Sequence, residues 1–253
     1  MPNRPTVALI VITRNEEQLI GQCLKSAAFC AEKIVVDSFS TDRTAELASA
    51  AGARVIQREF AGYIAQKQFA LEQVNSDWVL SLDADEQATY ALAREIERVL
   101  AAPWVAVDGY LVRRILYHLG SYYHRGIYPD YHLRLFRRAG ARFGGREPHA
   151  KALVGGRIGR LRAPILHFSY RDVAGHVDAM NRLTSIAASQ DEPGPLSVLR
   201  MFTNPAWRFF NFYLFRGGFL DGGRGLYGAM AASFYVFLKY AKRYERRLKN
   251  RRL

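Results

Sequence analysis

Along the first ninety positions, apolar residues arrive in short continuous runs, separated by stretches in which they recur every three or four residues. Val7 to Thr13, Lys33 to Asp37, Arg54 to Gln57 and Trp78 to Asp83 read as strands. Between the first two, Leu19, Ile20, Cys23, Leu24 and Ala27 mark one face of a helix. Asn15, followed three residues later by Gln18, predicts a capping box at its start. Further helices are predicted from about Asp42 to Ala51, where Gly52 stops the pattern, and from about Tyr63 to Val74. Such alternation predicts an α/β fold with a Rossmann-like, mainly parallel sheet flanked by helices.

Beyond Asp85 the rhythm loosens. A helix from about Thr89 to Ala101 precedes strands at Gly109 to Ile115, His132 to Arg137 and Ile165 to Tyr170, with loops rich in Gly, Arg and His between them. A helix from about Val173 to Ala188 then meets a breaker, DEPGP at Asp191 to Pro195. The pattern therefore divides into a domain over 1–190, with halves near 1–90 and 91–190, and a helical tail over 196–253 interrupted near Gly217 and Gly218. No internal repeat or low-complexity tract is visible.

Composition changes the picture chiefly in that tail. The chain has 253 residues, 49% of them apolar, enough for a sizeable core, which excludes disorder and collagen-like structure. Its net charge of +13 is uneven: residues 1–90 hold 8 Lys/Arg against 12 Asp/Glu, residues 91–199 hold 16 against 9, and residues 200–253 hold 12 against 2. The same tail carries 14 of the 32 aromatic residues, a pairing that suits an anionic membrane surface. Its uncharged stretch at Leu226 to Leu238 falls short of the roughly 20 residues that span a bilayer. Two cysteines, Cys23 and Cys30, form neither a disulfide framework nor a CxxC pair, and the first residues lack the order of a signal peptide. The expectation is a cytoplasmic protein, peripheral on the inner face of the cell membrane.

The candidate chemistry gathers at strand ends. In LDADEQ, Asp83 and Asp85 leave the carboxyl end of an apolar strand, where open α/β sheets bind ligands. Two carboxylates so placed suit a shared divalent cation that bridges phosphate oxygens, and taken alone they also read as a turn with helix-capping acids. TRNEE, Thr13 to Glu17, and DSFSTDRT, Asp37 to Thr44, follow the first and second strands and offer acceptors for a ribose or base and backbone donors for phosphate. Alternation in HLRLF sets Arg134 on the face of His132 and opposite Leu133 and Leu135, which makes it the best placed of Arg125, Arg134, Arg137 and Arg138 to bind a diphosphate or an anionic acceptor.

Taken in order, VITRNEEQLIGQCLKSA, IVVDSFSTDRTAELA, YIAQKQFAL and WVLSLDADE resemble the family-2 glycosyltransferases with the GT-A fold. YPDYHLRLFRR, GGREPHAKA, ILHFSYRD and FLDGGRGL extend the resemblance to nearly the whole chain and look like the branch of lipopolysaccharide core glucosyltransferases. The resemblance implies an inverting transfer of a hexose, glucose first, from a UDP-sugar to a glycan or lipid-linked acceptor, with Mg2+ or Mn2+ as cofactor. By it Glu16 and Asp37 contact uracil or ribose, Thr13 and Asn15 shape that pocket, and Lys67 lies near the base or diphosphate. Asp83 holds ribose or metal, and Asp85 holds the metal. His167 is favoured over His149 to offer the metal or diphosphate an imidazole. Glu147, in REPHA, is the first candidate for the base that deprotonates the acceptor. It also suits a surface acid paired with Arg146. Related proteins often carry an acid just after the histidine, where this chain has Ala150, so Asp130 stands in reserve. A nucleotidyltransferase is the enzymatic alternative, although TRNEEQ replaces the glycine-rich phosphate loop it favours. A nonenzymatic nucleic-acid-binding protein would use the basic tail but leaves the acidic strand ends unexplained, and no nucleic acid is expected as partner.

Overall fold

The computed structural model describes residues 5–102, 106–126, 130–170, 172–190 and 198–250. It divides into two compact units, Met1–Ile115 with Tyr131–Phe168, and Leu116–Asp130 with Ser169–Leu253.

In the first unit the elements run β1 (Val7–Thr13), α1 (Ile20–Ser26), β2 (Glu32–Asp37), α2 (Thr44–Ala50), β3 (Arg54–Gln57), α3 (Tyr63–Glu72), β4 (Trp78–Asp83), β5 (Glu86–Ala88), α4 (Tyr90–Leu100) and β6 (Gly109–His118), the last continuing into the second unit. The short β7 (Ser121–Tyr122) belongs to the second unit. The chain then returns through β8 (Tyr131–Arg137), β9 (Arg142–Arg146), β10 (His149–Leu153), β11 (Ile158–Arg160) and β12 (Ile165–His167). The main sheet has the order β3-β2-β1-β4-β8-β6-β12-β5. β1 pairs in parallel with both β2 and β4, and β8 adds antiparallel to β4. The run VALIVIT is buried almost throughout, as a central parallel strand covered on both faces must be. Alternate side chains of β1 and β4, Leu9, Val11, Leu80 and Leu82 among them, pack on one face of the sheet with Ile20, Leu24, Leu92 and Ile96. Ala8, Ile10, Ile34 and Val36 pack on the other face with Ala70, Leu71 and Phe136.

The four predicted strands and three intervening helices are present, with helix ends shifted by one or two residues. The capping box is not. Asn15 takes a left-handed backbone conformation (φ 56°) and its side chain accepts a hydrogen bond from Thr41 N at 2.8 Å, so it ties two loops together instead of capping α1, whose N-cap residue Leu19 has no side-chain bond. The strand predicted over Ile165 to Tyr170 ends at His167. The antiparallel hairpin β9–β10, where only loops were expected, crosses at GREPHAKA.

The second unit is helical: α5 (Val173–Gln190), α6 (Val198–Phe210), a π-helical turn (Asn211–Phe215), a 3-10 turn (Gly218–Asp221) and α7 (Gly222–Asn250). The predicted interruption is real, since Gly217 stands at φ 69° between the two turns. Phe212 is buried among glycines. A Cβ on Gly126 would lie 2.1 Å from its ring, so only glycine allows that approach. Asp221 Oδ2 accepts from His124 N and Arg125 N at 3.3 and 3.0 Å, fastening the turn to the segment after β7. The breaker Asp191 to Pro195, and with it the predicted start of the tail, lies outside the described residues.

Candidate active site at the carboxyl ends of the parallel strands

Register places the acidic residues. Thr13, the last residue of β1, pairs with Asp37 on one side, and Ile12 pairs with Asp83 on the other. Asp37 and Asp83 therefore flank the carboxyl end of β1, about 10 Å apart at the backbone from two strand spacings.

Two loops close over Asp37. Its carboxylate is fully buried and accepts from Ser40 N at 2.9 Å and from the Ser40 hydroxyl. Asn15 N donates to Ser40 Oγ at 2.9 Å, and Glu16 N donates to Thr44 Oγ1 at 2.7 Å. Glu16 is thus held at the mouth of this edge, half-buried. Thr13 Oγ1 is buried, with no hydrogen-bond partner among the described residues.

Asp83 sits in a cationic clamp. Lys67, from the middle of α3, reaches Oδ1 at 2.6 Å, and Arg134, from β8, reaches Oδ2 at 2.9 Å. Burial pushes the Asp83 carboxyl up, but these two cations outweigh it and hold it well below the usual carboxylate range. Arg134 is itself buried and also bonds Glu86 Oε1 at 2.5 Å, while Glu86 Oε2 accepts from Asp83 N at 2.9 Å. Arg114 approaches Glu86 Oε1 at 3.4 Å. Glu86, fully buried, is a residue of the candidate site that the sequence reading missed. It lies inside the LDADEQ motif, three residues after Asp83, where the short β5 turns it inward. Gln66 was missed as well; it is fully buried beside Lys67 and donates to Ser38 Oγ at 3.1 Å.

Asp85 and His167 form a separate pair. β12 runs antiparallel to β5, Phe168 N donates to Asp85 O at 2.8 Å, and His167 Nε2 stands 3.1 Å from Asp85 Oδ2. Two ligand atoms bound cis on an octahedral Mg2+ are separated by about 3 Å, so this carboxylate–imidazole pair fits such a cation. Both oxygens of Asp83 are engaged by cations, so its charge is already offset by protein. Among the described residues no group of three or more His, Cys, Asp or Glu converges as a cage.

Glu147 lies at the turn of the β9–β10 hairpin and reaches the start of α3: Oε2 accepts from Tyr63 N at 3.0 Å and Oε1 from Ile64 N at 2.8 Å. A carboxylate there satisfies two amides that the helix leaves open and complements its dipole. Gly62 (φ 109°) permits the approach, since a Cβ there would stand 2.8 Å from Oε1. Lys67 follows Tyr63 by one helical turn, about 6 Å along the axis, so α3 links Glu147 to the Asp83 clamp. His149 is exposed on β10. Asp130 belongs to the second unit, and its neighbours Tyr128 and Pro129 lie outside the described residues. The structure thus brings together Thr13, Asn15, Glu16 and Asp37 in one group and Lys67, Asp83 and Arg134 in a second. Asp85 and His167 form a third.

Comparison with known proteins identifies the family and the fold. The model of the family described as glycosyl transferase family 2 matches residues 8–154. The chain is 34% identical over 257 residues to the lipopolysaccharide core biosynthesis glycosyltransferase LpsC of Rhizobium meliloti (strain 1021), covering 97% of this chain and 94% of that protein. In fold it is similar to the mannosyltransferase PcManGT from Pyrobaculum calidifontis in complex with GDP-Man and Mn2+, with TM-score 0.57 and 18% identity over 96% of this chain and 88% of the other. It also resembles S. aureus TarS 1-349, with TM-score 0.52 and 16% identity over 95% and 91% of the two chains. The mixed, mostly parallel sheet with flanking helices and a long C-terminal helix is therefore GT-A-like.

Proposed function

This chain belongs to glycosyl transferase family 2, and on that premise we propose that it is an inverting, metal-dependent hexosyltransferase that moves a sugar, glucose first, from a UDP-sugar to a lipid-linked glycan such as lipopolysaccharide core. Family membership favours glycosyl transfer over the nucleotidyl-transfer and nucleic-acid alternatives. The observation that carries the reading is the row of three carboxylates, Asp37, Asp83 and Asp85, at the carboxyl ends of β2 and β4 and the turn after β4, on either side of β1.

Each group has a part in the reaction. Glu16, at the mouth, accepts hydrogen bonds from the uracil N–H and ribose hydroxyls, Thr13 and Asn15 shape the floor, and Asp37, buried behind Ser40, holds the loop beside them. Lys67 and Arg134 keep Asp83 ionised, so it accepts from the donor without needing to lose a proton first. Asp85 and His167 would hold Mg2+ or Mn2+, which when bound offsets the negative charge of the departing diphosphate. Glu147 takes the proton of the acceptor hydroxyl as that oxygen bonds to the anomeric carbon and the bond from carbon to the diphosphate oxygen breaks, releasing UDP. Each Glu147 oxygen retains a lone pair beyond its helix amide. Asp130 remains the reserve base. The acceptor's lipid end places the reaction at the cytoplasmic face of the membrane, with the basic, aromatic C-terminal segment as the peripheral contact. Among the described residues no helix is long and apolar enough to cross a membrane.

A panel of nucleotide sugars tests the reading by donor hydrolysis and by transfer to lipid-linked glycan extracts. UDP-hexoses should be turned over in preference to GDP- and CMP-sugars, and turnover confined to another nucleotide would contradict it.

A further inference from the structure

The second unit carries an apolar surface turned outward. On α6, Leu199, Phe202, Ala206 and Phe210 recur at spacings of three and four residues and are all exposed, with Trp207 beside them, whereas Pro205 is buried on the opposite side. Met201 and Phe209 are half-buried on that side too, so α6 is apolar on both sides, and burying one leaves the other in solvent. The stripe continues through Leu214 (50% exposed) and Phe215 (70%) into the turn at Gly217 and on to Phe219 and Leu220 (62%). Ring contacts make the patch continuous: Trp207 meets Phe215 at 5.7 Å, and Phe209 meets both Phe210 and Tyr213.

Its charge has one sign. Arg200, Arg208, Arg216 and Arg224 are spread along this segment, and Asp221, its one acid, spends a carboxylate oxygen on two backbone amides. Burial, then the neighbouring Arg216 guanidinium, push the Arg208 pKa down, a strain that an anion beside the pair relieves.

Four cations toward the basic end of α7 are engaged elsewhere. Lys242 Nζ donates to Asn181 Oδ1 at 2.6 Å, to Thr184 Oγ1 at 2.9 Å and to Ser185 Oγ at 2.8 Å on α5. Arg246 donates to the carbonyls of Ala188 and Ser189 at 2.8 and 2.7 Å, at the negative end of the α5 dipole. Lys249 pairs with Glu245, and Lys239 lies over the Tyr240 ring. These cations bind α7 to its own surroundings.

We propose that the elbow formed by the end of α6, the π-helical turn and the 3-10 turn is the membrane-inserting element: Trp207, Phe210, Leu214, Phe215, Phe219 and Leu220 enter the interface of an anionic phospholipid bilayer, and Arg208 and Arg216 meet its phosphates. Aromatic side chains bordered by arginine match the interfacial layer, and a contiguous exposed apolar patch of this kind calls for a partner. This inference rests on the reading of the protein as a peripheral membrane enzyme and names which segment inserts.

The test is co-sedimentation of the full chain with phosphatidylglycerol–phosphatidylcholine vesicles and with phosphatidylcholine vesicles, combined with quenching of Trp207 by bromine-labelled acyl chains, read as the difference between the parent and Trp207→Phe. Trp207 should be quenched, and the double variant Trp207→Ser with Phe215→Ser should bind anionic vesicles at least tenfold more weakly. Arg247→Gln with Lys249→Gln should lose no more than about twofold. Because the elbow side chains are exposed, circular dichroism should match the parent. If the parent binds anionic vesicles but Trp207 is unquenched and the double variant binds equally well, the elbow assignment is wrong while the membrane reading stands. A parent that ignores anionic vesicles at low salt overturns both. If that parent is also a dimer in sedimentation velocity and the double variant a monomer, the elbow joins two copies of the chain instead.

Discussion

Lys67 Nζ lies 2.6 Å from Asp83 Oδ1, an ion pair that joins the first half of α3 to the carboxyl end of β4. Arg134 holds the other oxygen, so the carboxylate nearest the middle of the candidate site is ionised by protein cations before any ligand arrives. The folded-state pKa of Asp83 is lowered, so its contribution to stability is present above the unfolded value of about 3.9 and is lost as pH falls below it. Urea unfolding should show the first unit weakening below about pH 4, and Lys67→Met should be less stable than the parent above that pH and lose less on further acidification. Identical pH profiles for the two proteins would remove Lys67 from the clamp.

Glu86 is the buried counterion behind that clamp. Glu86→Gln keeps the shape but leaves Arg134 with less negative charge around it, and it should cost about 3 kcal/mol of stability in urea unfolding, the scale for breaking a buried ion pair. A loss below about 0.5 kcal/mol, the range of ordinary surface changes, would contradict the assignment.

The positions of these groups were legible to different degrees. Asp37, Asp83 and Asp85 were readable because a β-prone run ending in an acid places that acid at a sheet edge, and the strand boundaries at Thr13, Gln57 and Asp83 came out as predicted. Glu86 was hidden because a three-residue strand has too few positions to show alternation, so its burial comes from pairing with β12. The capping box failed at Asn15 because the same side chain had a tertiary partner in Thr41, and sequence spacing does not reveal which of two local bonds wins. GREPHAKA was read as loop because glycine, proline and charge conceal a hairpin whose two strands are paired only with each other in one small sheet.

Glu147 tests the base. Glu147→Gln should leave UDP affinity unchanged and lower turnover by roughly 100-fold, the scale for losing a general base. One amide of α3 keeps an oxygen acceptor, so unfolding should shift by no more than about 1 kcal/mol. If turnover survives in Glu147→Gln and collapses in Asp130→Asn, the base is Asp130.

In the second unit, His176 stacks on Tyr170 at 3.9 Å and bonds the Tyr227 hydroxyl at 2.7 Å, while burial, and then the nearby His118, push its pKa down to about 4. A histidine kept neutral in the folded state destabilises it wherever the unfolded chain binds the proton first, from about pH 6.5 downward. Thermal unfolding should therefore reveal a loss on the order of 2 kcal/mol from His176 between pH 7 and pH 5, relative to a His176→Gln variant. Parallel pH dependences in the two proteins would exclude it.

The central claim, a donor diphosphate held at the strand-end carboxylates through a cation on Asp85 and His167, is tested most directly by calorimetric titration of UDP with and without Mn2+ in the parent and in Asp85→Asn. The parent should bind UDP much more tightly with Mn2+ than without it, and Asp85→Asn should lose most of that difference because two phosphates then face the site without the cation that offsets their charge. Equal UDP affinity in both proteins, with the same response to Mn2+, would contradict the account.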